Sequence, residues 1–233
     1  MKREGYLYLK VFLSPAEVLE FREYYFASLE HTGLVKPGSD PETGHANTEA
    51  EDKGALRDAL FKTIVPGEEF GALCTHPRIK EWFAWFLGDD THLHKRKILR
   101  HTKPGDNGIG TATQAHYDLV YLREGTDRVL SMWIPLGDCA VERGGQERTG
   151  TLKLPAVSIT ADLPGLADEH DARWLVTDYE AGDVVVHSAQ IVHAALDNKD
   201  LEGRMRLSAD IRYQRVNDPI DWRWQNDWHT DGL

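Results

Sequence analysis

The sequence predicts an α+β fold, mainly β in the part that carries chemistry. Three observations predict it. Helical patterning is confined to the residues before Asp90. Short β-rich runs separated by turn residues fill the chain after it. No internal repeat or low-complexity segment interrupts either part. Helices first and many short strands afterwards imply helices packed on a sandwich or barrel that holds the site. The 233 residues read as a single domain, 1–233, because all-β units often reach this length undivided.

The elements follow in order. Tyr6-Leu7-Tyr8-Leu9-Lys10-Val11-Phe12-Leu13 is rich in β-formers and reads as a strand. Ser14-Pro15-Ala16-Glu17 supplies an N-cap serine, a proline at the first helical position and a capping-box glutamate. The helix so started runs to about Leu29, with Val18, Phe21, Tyr25 and Leu29 on one face. Residues 31–54 are polar and read as a long surface loop, a kind of segment that often borders a substrate site. Helices are expected over Ala55–Thr63 and Pro77–Leu87, the second closed by Gly88. The aromatic run Trp82–Phe86 reads as core packing of that helix. Expected strands are Leu93–His101, Ala115–Leu122, Val129–Pro135, Arg173–Thr177, Asp183–His187 and Arg206–Gln214. Turn signals lie at Pro104–Gly108, Gly144-Gly145 and Ala181-Gly182-Asp183.

Composition narrows the function. With 27 Lys and Arg against 38 Asp and Glu, the net charge is −11, which repels phosphate backbones and anionic membranes. No nucleic-acid or membrane partner is expected; a small-molecule substrate is. No stretch approaches the roughly 20 apolar residues of a membrane span. The N-terminal residues show no signal-peptide pattern, so a cytoplasmic location is expected. Cys74 and Cys139 lack CxxC spacing and read as buried free thiols. Oligomeric state is not legible.

His116-Tyr117-Asp118 is the motif that carries chemistry. On a strand, residues i and i+2 share a face, so an imidazole and a carboxylate converge. With a distant histidine they make the 2-His-1-carboxylate triad that leaves positions open on non-haem Fe(II). The motif alone is weak, because about one HxD is expected by chance in a chain with this His and Asp content. His229-Thr230-Asp231 also fits it, in a Trp-rich tail without strand pattern, and reads as incidental. Context raises the first pair. Gln114–Leu122 is β-rich, and Leu130–Leu136 leads to Gly144-Gly145. Gly182–His187 precedes Ile191-Val192-His193, and Arg206–Tyr213 closes the series.

That ordered set resembles the phytanoyl-CoA dioxygenase family of Fe(II)/2-oxoglutarate oxygenases. The resemblance covers most of the chain and is strongest over 114–136 and 182–214. It implies a double-stranded β-helix (jelly roll, cupin-like) core with helices packed on one sheet. It implies Fe(II), 2-oxoglutarate and O2 as cofactors and co-substrates, with succinate and CO2 released. It places His116, Asp118 and His193 on the metal, His187 remaining as the competitor for the third position. The family's co-substrate arginine follows that ligand by a little over ten residues, which points to Arg206 at 13 from His193, with Arg204 at 11 as the alternative. Arg206-Leu207-Ser208 resembles the clamp for the far carboxylate of 2-oxoglutarate, which suits a planar guanidinium.

Trp133 and Thr113 match positions beside the co-substrate, with core packing an equal reading for Trp133. Lys97 and its neighbours on the preceding strand are further candidates. A carboxylate at Asp118 argues for hydroxylation, desaturation or rearrangement and against halogenation. Residues 146–154 depart from the family pattern, which usually ends a strand here in Gly-Ser-His; the segment reads as shortened or altered. A small or medium metabolite is the expected substrate, hydroxylation of an acyl-CoA or lipid the alternative. A catalytically inactive jelly-roll binding protein and a zinc hydrolase are the other readings.

Overall fold

The ten-residue strand β8 (Arg206–Arg215) alternates polar with apolar residues, and both sets are buried apart from the part-buried Asp210 and Arg215. Leu207, Ala209, Ile211 and Tyr213 join the main hydrophobic core. Arg206, Ser208, Arg212 and Gln214 occupy the opposite face, since successive strand side chains point to opposite sides. The main sheet forms around this strand and is antiparallel. Its order is β1 (Tyr6–Leu9), β6 (Val184–Ser188), β4 (Leu130–Pro135), β8 and β2 (Thr91–Leu93), with β3 (Ile98–Thr102) also paired to β8. A second sheet pairs β5 (Gln146–Thr151) with β7 (Ile191–Ala195). These assignments come from a computed structural model that describes residues 1, 3–49, 51–106, 113–122, 124–141, 146–151 (backbone only) and 158–225.

Helices cover one face of the main sheet. They are α1 (Pro15–Ala27), α2 (Lys53–Asp58) continued by a π-helical turn over Ala59–Ile64, α3 (Glu68–Cys74) and α4 (Pro77–Leu87). Val18, Phe21, Tyr25 and Leu29 are buried as the periodicity predicts. They pack with Phe70, Ile79 and Phe83 against Met132, Ile134, Val184, Val186 and the apolar face of β8. Gly88 closes α4 in the left-handed conformation (φ 68°). Within the Trp82–Phe86 run, Phe83 is buried in the core while Trp85 faces solvent. A short helix α5 (Leu163–Glu169), not expected from sequence, lies after the second sheet's first strand. Cys74 and Cys139 are both buried and are not joined in a disulfide.

The structure corrects several expectations. Pro15 does start α1, but Ser14 makes no side-chain cap bond; Glu17 lies 3.6 Å from His76 Nε2 instead of reaching back to the cap. The first strand ends at Leu9, ahead of Val11 at φ 48°. Leu93–His101 is split because Lys95-Arg96-Lys97 sends neighbouring cations to different elements: Arg96 lies over the Trp224 ring and Lys97 over Phe70. Arg173–Thr177 runs irregularly, with Trp174 Nε1 donating to the Leu163 carbonyl at 2.6 Å. Ala115–Leu122 is strand-like only at Ala115 and His116, and turns into a 3₁₀ helix over Asp118–Val120. Residues 146–151 form β5, and residues 152–154 of the segment that departs from the family pattern lie outside the described residues. Residues 31–54 are no detached loop: Leu34 and Val35 are buried, and bridges join Val35 to Ala46 and His45 to Arg204. Arg22, buried in α1, ties that segment down by donating to the carbonyls of Glu42, Thr43, Leu136 and Met205.

Candidate metal centre

The site lies between the two sheets. His193 sits on β7, and His116 is its backbone partner. His116 N–H donates to the His193 carbonyl at 3.0 Å, and His193 N–H donates to the His116 carbonyl at 2.8 Å. This reciprocal pairing brings two residues far apart in the chain side by side, with ring centroids 4.2 Å apart. Tyr117 is extended (φ −133°, ψ 146°), so Asp118 returns to the face of His116. The two-residue spacing does bring imidazole and carboxylate together, although the strand ends there.

The three side chains converge. Asp118 Oδ1 is 3.9 Å from His116 Nε2 and 3.9 Å from His193 Nε2. Among the described residues, this is the one group of three candidate metal ligands whose atoms all lie within 4.8 Å of one another. The far ring nitrogens set the tautomers. His116 Nδ1 meets the Gln114 carbonyl at 2.8 Å and His193 Nδ1 the Ile191 carbonyl at 3.1 Å. A carbonyl only accepts, so each Nδ1 carries the proton and each Nε2 presents its lone pair inward.

Electrostatics favour the same state. Burial pushes the His116 pKa down, against the pull of Asp118. Burial, then His116 and His187, hold the His193 pKa well below the ordinary value. Both imidazoles therefore stay neutral, the ligating form. Burial alone would raise the Asp118 pKa; the Arg212 guanidinium beside it overrides burial and keeps the carboxyl well below the usual range. Two neutral imidazoles and one carboxylate, with coordination space left over, fit Fe(II).

Other expected residues fall around this centre. His187 lies on β6 opposite Ser131, its ring 4.5 Å from that of His193, with Nδ1 3.1 Å from the Ser188 carbonyl. It does not belong to the converging group. Arg206 is buried; its guanidinium donates to Thr102 Oγ1 at 2.8 Å and to the Leu196 carbonyl at 3.2 Å. Arg204 points outward and pairs with Asp200 at 3.0 Å and Glu202 at 2.8 Å. Ser208 is buried, opposite Arg100 on β3. Trp133 is buried edge-on to Tyr179 (4.9 Å) with Cys139 and Val185. Thr113 accepts a hydrogen bond from Arg100. Lys97 faces the helical layer, over Phe70, and away from the centre. His229 and Asp231 lie outside the described residues.

Two neighbours escaped the sequence reading, and a third, Arg100, was covered only among the neighbours of Lys97 on the expected strand. Arg212 forks onto Asp118, with Nε to Oδ2 at 3.2 Å and Nη2 to Oδ1 at 3.1 Å. Ser131 donates its hydroxyl to Asp118 Oδ2. Arg100 joins Thr113 and lies close enough to help burial lower both the Arg206 and His116 pKa values. The signal for Arg212 was the alternation of β8, which puts Arg206, Ser208, Asp210 and Arg212 on one face.

Comparison with protein families finds a match of residues 1–205 to phytanoyl-CoA dioxygenase. Comparison with curated proteins finds no match. Solved structures resemble the fold. The non-heme alpha-ketoglutarate-dependent epimerase SnoN from nogalamycin biosynthesis aligns at 23% identity over 92% of this chain and 80% of its own, with a TM-score of 0.63. The carbocyclase SnoK from the same biosynthesis aligns at 20% identity over 99% and 85%, with a TM-score of 0.62. EctD from S. alaskensis with bound Fe aligns at 19% identity over 94% and 75%, with a TM-score of 0.61.

Proposed function

The chain belongs to the phytanoyl-CoA dioxygenase family of Fe(II)- and 2-oxoglutarate-dependent oxygenases, and from that membership we propose that it hydroxylates a small or medium organic metabolite. The carrying observation is the convergence of His116 Nε2, His193 Nε2 and Asp118 Oδ1 on one buried point. In this reading the two facing sheets are the halves of a jelly roll, an architecture consistent with the SnoN, SnoK and EctD folds. His116, Asp118 and His193 hold the iron. When bound, Fe(II) and 2-oxoglutarate activate O2, and the co-substrate leaves as succinate and CO2.

The chain's own residues position and enclose. Arg206 and Ser208 receive the far carboxylate of 2-oxoglutarate, with Arg100 adding positive charge from β3 and Thr113 and Trp133 flanking. A dicarboxylate suits this region because the buried Arg206 guanidinium, its pKa lowered by burial and further by the Arg100 charge nearby, gains from an anion beside it. Asp118 occupies the position that a halide would need, which argues against halogenation and leaves hydroxylation, desaturation or rearrangement. The small-metabolite reading is supported by titles of fold relatives: SnoN and SnoK belong to nogalamycin biosynthesis, and EctD was solved with 2-oxoglutarate and 5-hydroxyectoine.

The test is anaerobic titration of the purified protein with Fe(II) and 2-oxoglutarate, followed by succinate release in air across metabolite pools. Binding of both and substrate-stimulated succinate are expected. Asp118→Ala abolishes turnover and Asp231→Ala leaves it intact. Absence of binding by both ligands, or the reverse pattern in the two variants, overturns the assignment.

A further inference from the structure

Asp118 is more tightly held than a metal ligand needs for charge alone. A carboxylate offers about four lone-pair positions. Oδ2 accepts from Ser131 and from Arg212 Nε, and Oδ1 accepts from Arg212 Nη2. Three positions are thereby taken. The remaining one is on Oδ1, the oxygen equidistant from the two imidazole Nε2 atoms. The carboxylate is thus limited to one-oxygen ligation, which keeps neighbouring coordination positions open for co-substrate and O2.

Arg212 is in turn held from behind. Its Cζ lies 4.6 Å from the centre of the Trp224 ring, a cation–π contact. Trp224 is buried, and it sits in a 3₁₀ turn, Trp222–Gln225, after the last strand. That turn is fastened to the segment leading away from Asp118. Arg223 Nη2 donates to the Tyr121 carbonyl at 2.9 Å, and Trp224 Nε1 to the same carbonyl at 3.4 Å. Glu124 N–H donates to Asp221 at 3.1 Å, and Thr126 N–H to the Pro219 carbonyl at 2.8 Å. Arg96 N–H also reaches the Trp224 carbonyl at 3.3 Å. The family match ends at residue 205, so Arg212 and Trp224 both lie beyond it.

We infer that the C-terminal turn is part of the metal site: Trp224 backs Arg212, and Arg212 with Ser131 presents Asp118 to the metal through one oxygen. Arg212, Ser131 and Trp224 are positioning residues. The inference rests on the iron-site reading of His116, Asp118 and His193. Packing of a tail tryptophan would by itself require only apolar neighbours. Here the ring covers the guanidinium that forks onto the ligand.

The experiment compares the full chain with Trp224→Leu, Trp224→Phe, Arg212→Lys and Ser131→Ala, each titrated anaerobically with Co(II) and with Fe(II). The visible Co(II) spectrum reads the coordination directly, and thermal melting of the metal-free protein reports folding. Partners of a metal ligand typically change affinity about 10- to 100-fold. Trp224→Leu, Arg212→Lys and Ser131→Ala are expected to weaken metal binding into that range and to alter the Co(II) spectrum. Trp224→Phe, which keeps an aromatic face, restores affinity to within about threefold. If Trp224→Leu does not fold, Arg212→Lys and Trp224→Phe decide. Wild-type affinity and an unchanged spectrum in Arg212→Lys, or equal weakening in folded Trp224→Phe and Trp224→Leu, overturns the inference. Failure of the wild type to bind either metal instead overturns the iron-site reading beneath it.

Discussion

Replacing Arg206 by alanine separates the two arginines that spacing alone left as co-substrate candidates. Arg206 is 4% exposed, and its guanidinium is fixed by Thr102 and the Leu196 carbonyl. A carboxylate paired with it is screened little by water. Truncating one partner of a buried charge pair costs about 2–5 kcal/mol, and each ~1.4 kcal/mol is tenfold in affinity. The dissociation constant for 2-oxoglutarate should therefore rise roughly 30- to 3000-fold, while Fe(II) affinity stays near wild type because Arg206 donates to no triad residue. Arg206→Lys keeps the charge without the fork and falls between. Arg204 is the control: it is partly exposed and already paired with Asp200 and Glu202, and Arg204→Ala should change 2-oxoglutarate affinity by no more than a few-fold. The assay is anaerobic titration of the Fe(II)-loaded protein with 2-oxoglutarate, followed by calorimetry or the visible charge-transfer band. Unchanged binding in Arg206→Ala, or weakening confined to Arg204→Ala, refutes the reasoning.

Two further outcomes concern stability. Burial pulls the His94 pKa down to about 4 despite the Gln214 hydrogen bond, so between an unfolded value near 6.5 and about 4 the unfolded chain binds the extra proton. Stability is then complete above pH ~6.5 and falls as pH drops toward 4, by up to on the order of 3 kcal/mol from this residue. Urea unfolding of His94→Gln should show a flatter pH profile over that window, and a profile parallel to wild type would exclude the effect. Arg22→Met leaves the carbonyls of Glu42, Thr43, Leu136 and Met205 without their shared donor. It should cost at least about 3 kcal/mol and lower the melting temperature by roughly 6–12 °C; a shift under about 2 °C would mean that water replaces the guanidinium.

The parts of the site that were legible are those set by short-range geometry and rare residue types. His116 and Asp118 could be paired because two-residue spacing returns a side chain to one face whether or not the strand continues. Arg206 and Ser208 could be paired by the same alternation. Arg212 was on view in that pattern but its role was not, because its partner Asp118 lies 94 positions away and the meeting depends on how β4 and β8 align, with Ser131 opposite Arg212. The choice of His193 over His187 for the converging group needed the backbone pairing of His116 with β7, which no local pattern encodes. Composition misled over 31–54, where abundant polar residues hid the buried Leu34 and Val35. The capping box failed for a similar reason: His76, from a different helix boundary, competes for Glu17. Helix α5 has only seven residues, too few for a period to stand out.

The two-sided character of β8 has a consequence for error tolerance. A slip of one residue in its pairing would exchange its faces completely. Arg206, Ser208 and Arg212 would enter the apolar layer beneath the helices, and Leu207, Ala209 and Ile211 would face the candidate metal centre. Such a molecule loses its core and the residues proposed to grip the co-substrate in one step. On the proposed assignment of the site, a misaligned β8 therefore cannot persist as a folded protein that holds iron yet admits oxygen without a properly seated acid. The same holds for an inserted or deleted residue within the strand, whereas a change of length in the preceding turn leaves both faces in place. Fold quality and fidelity of oxidation are guarded by a single alignment.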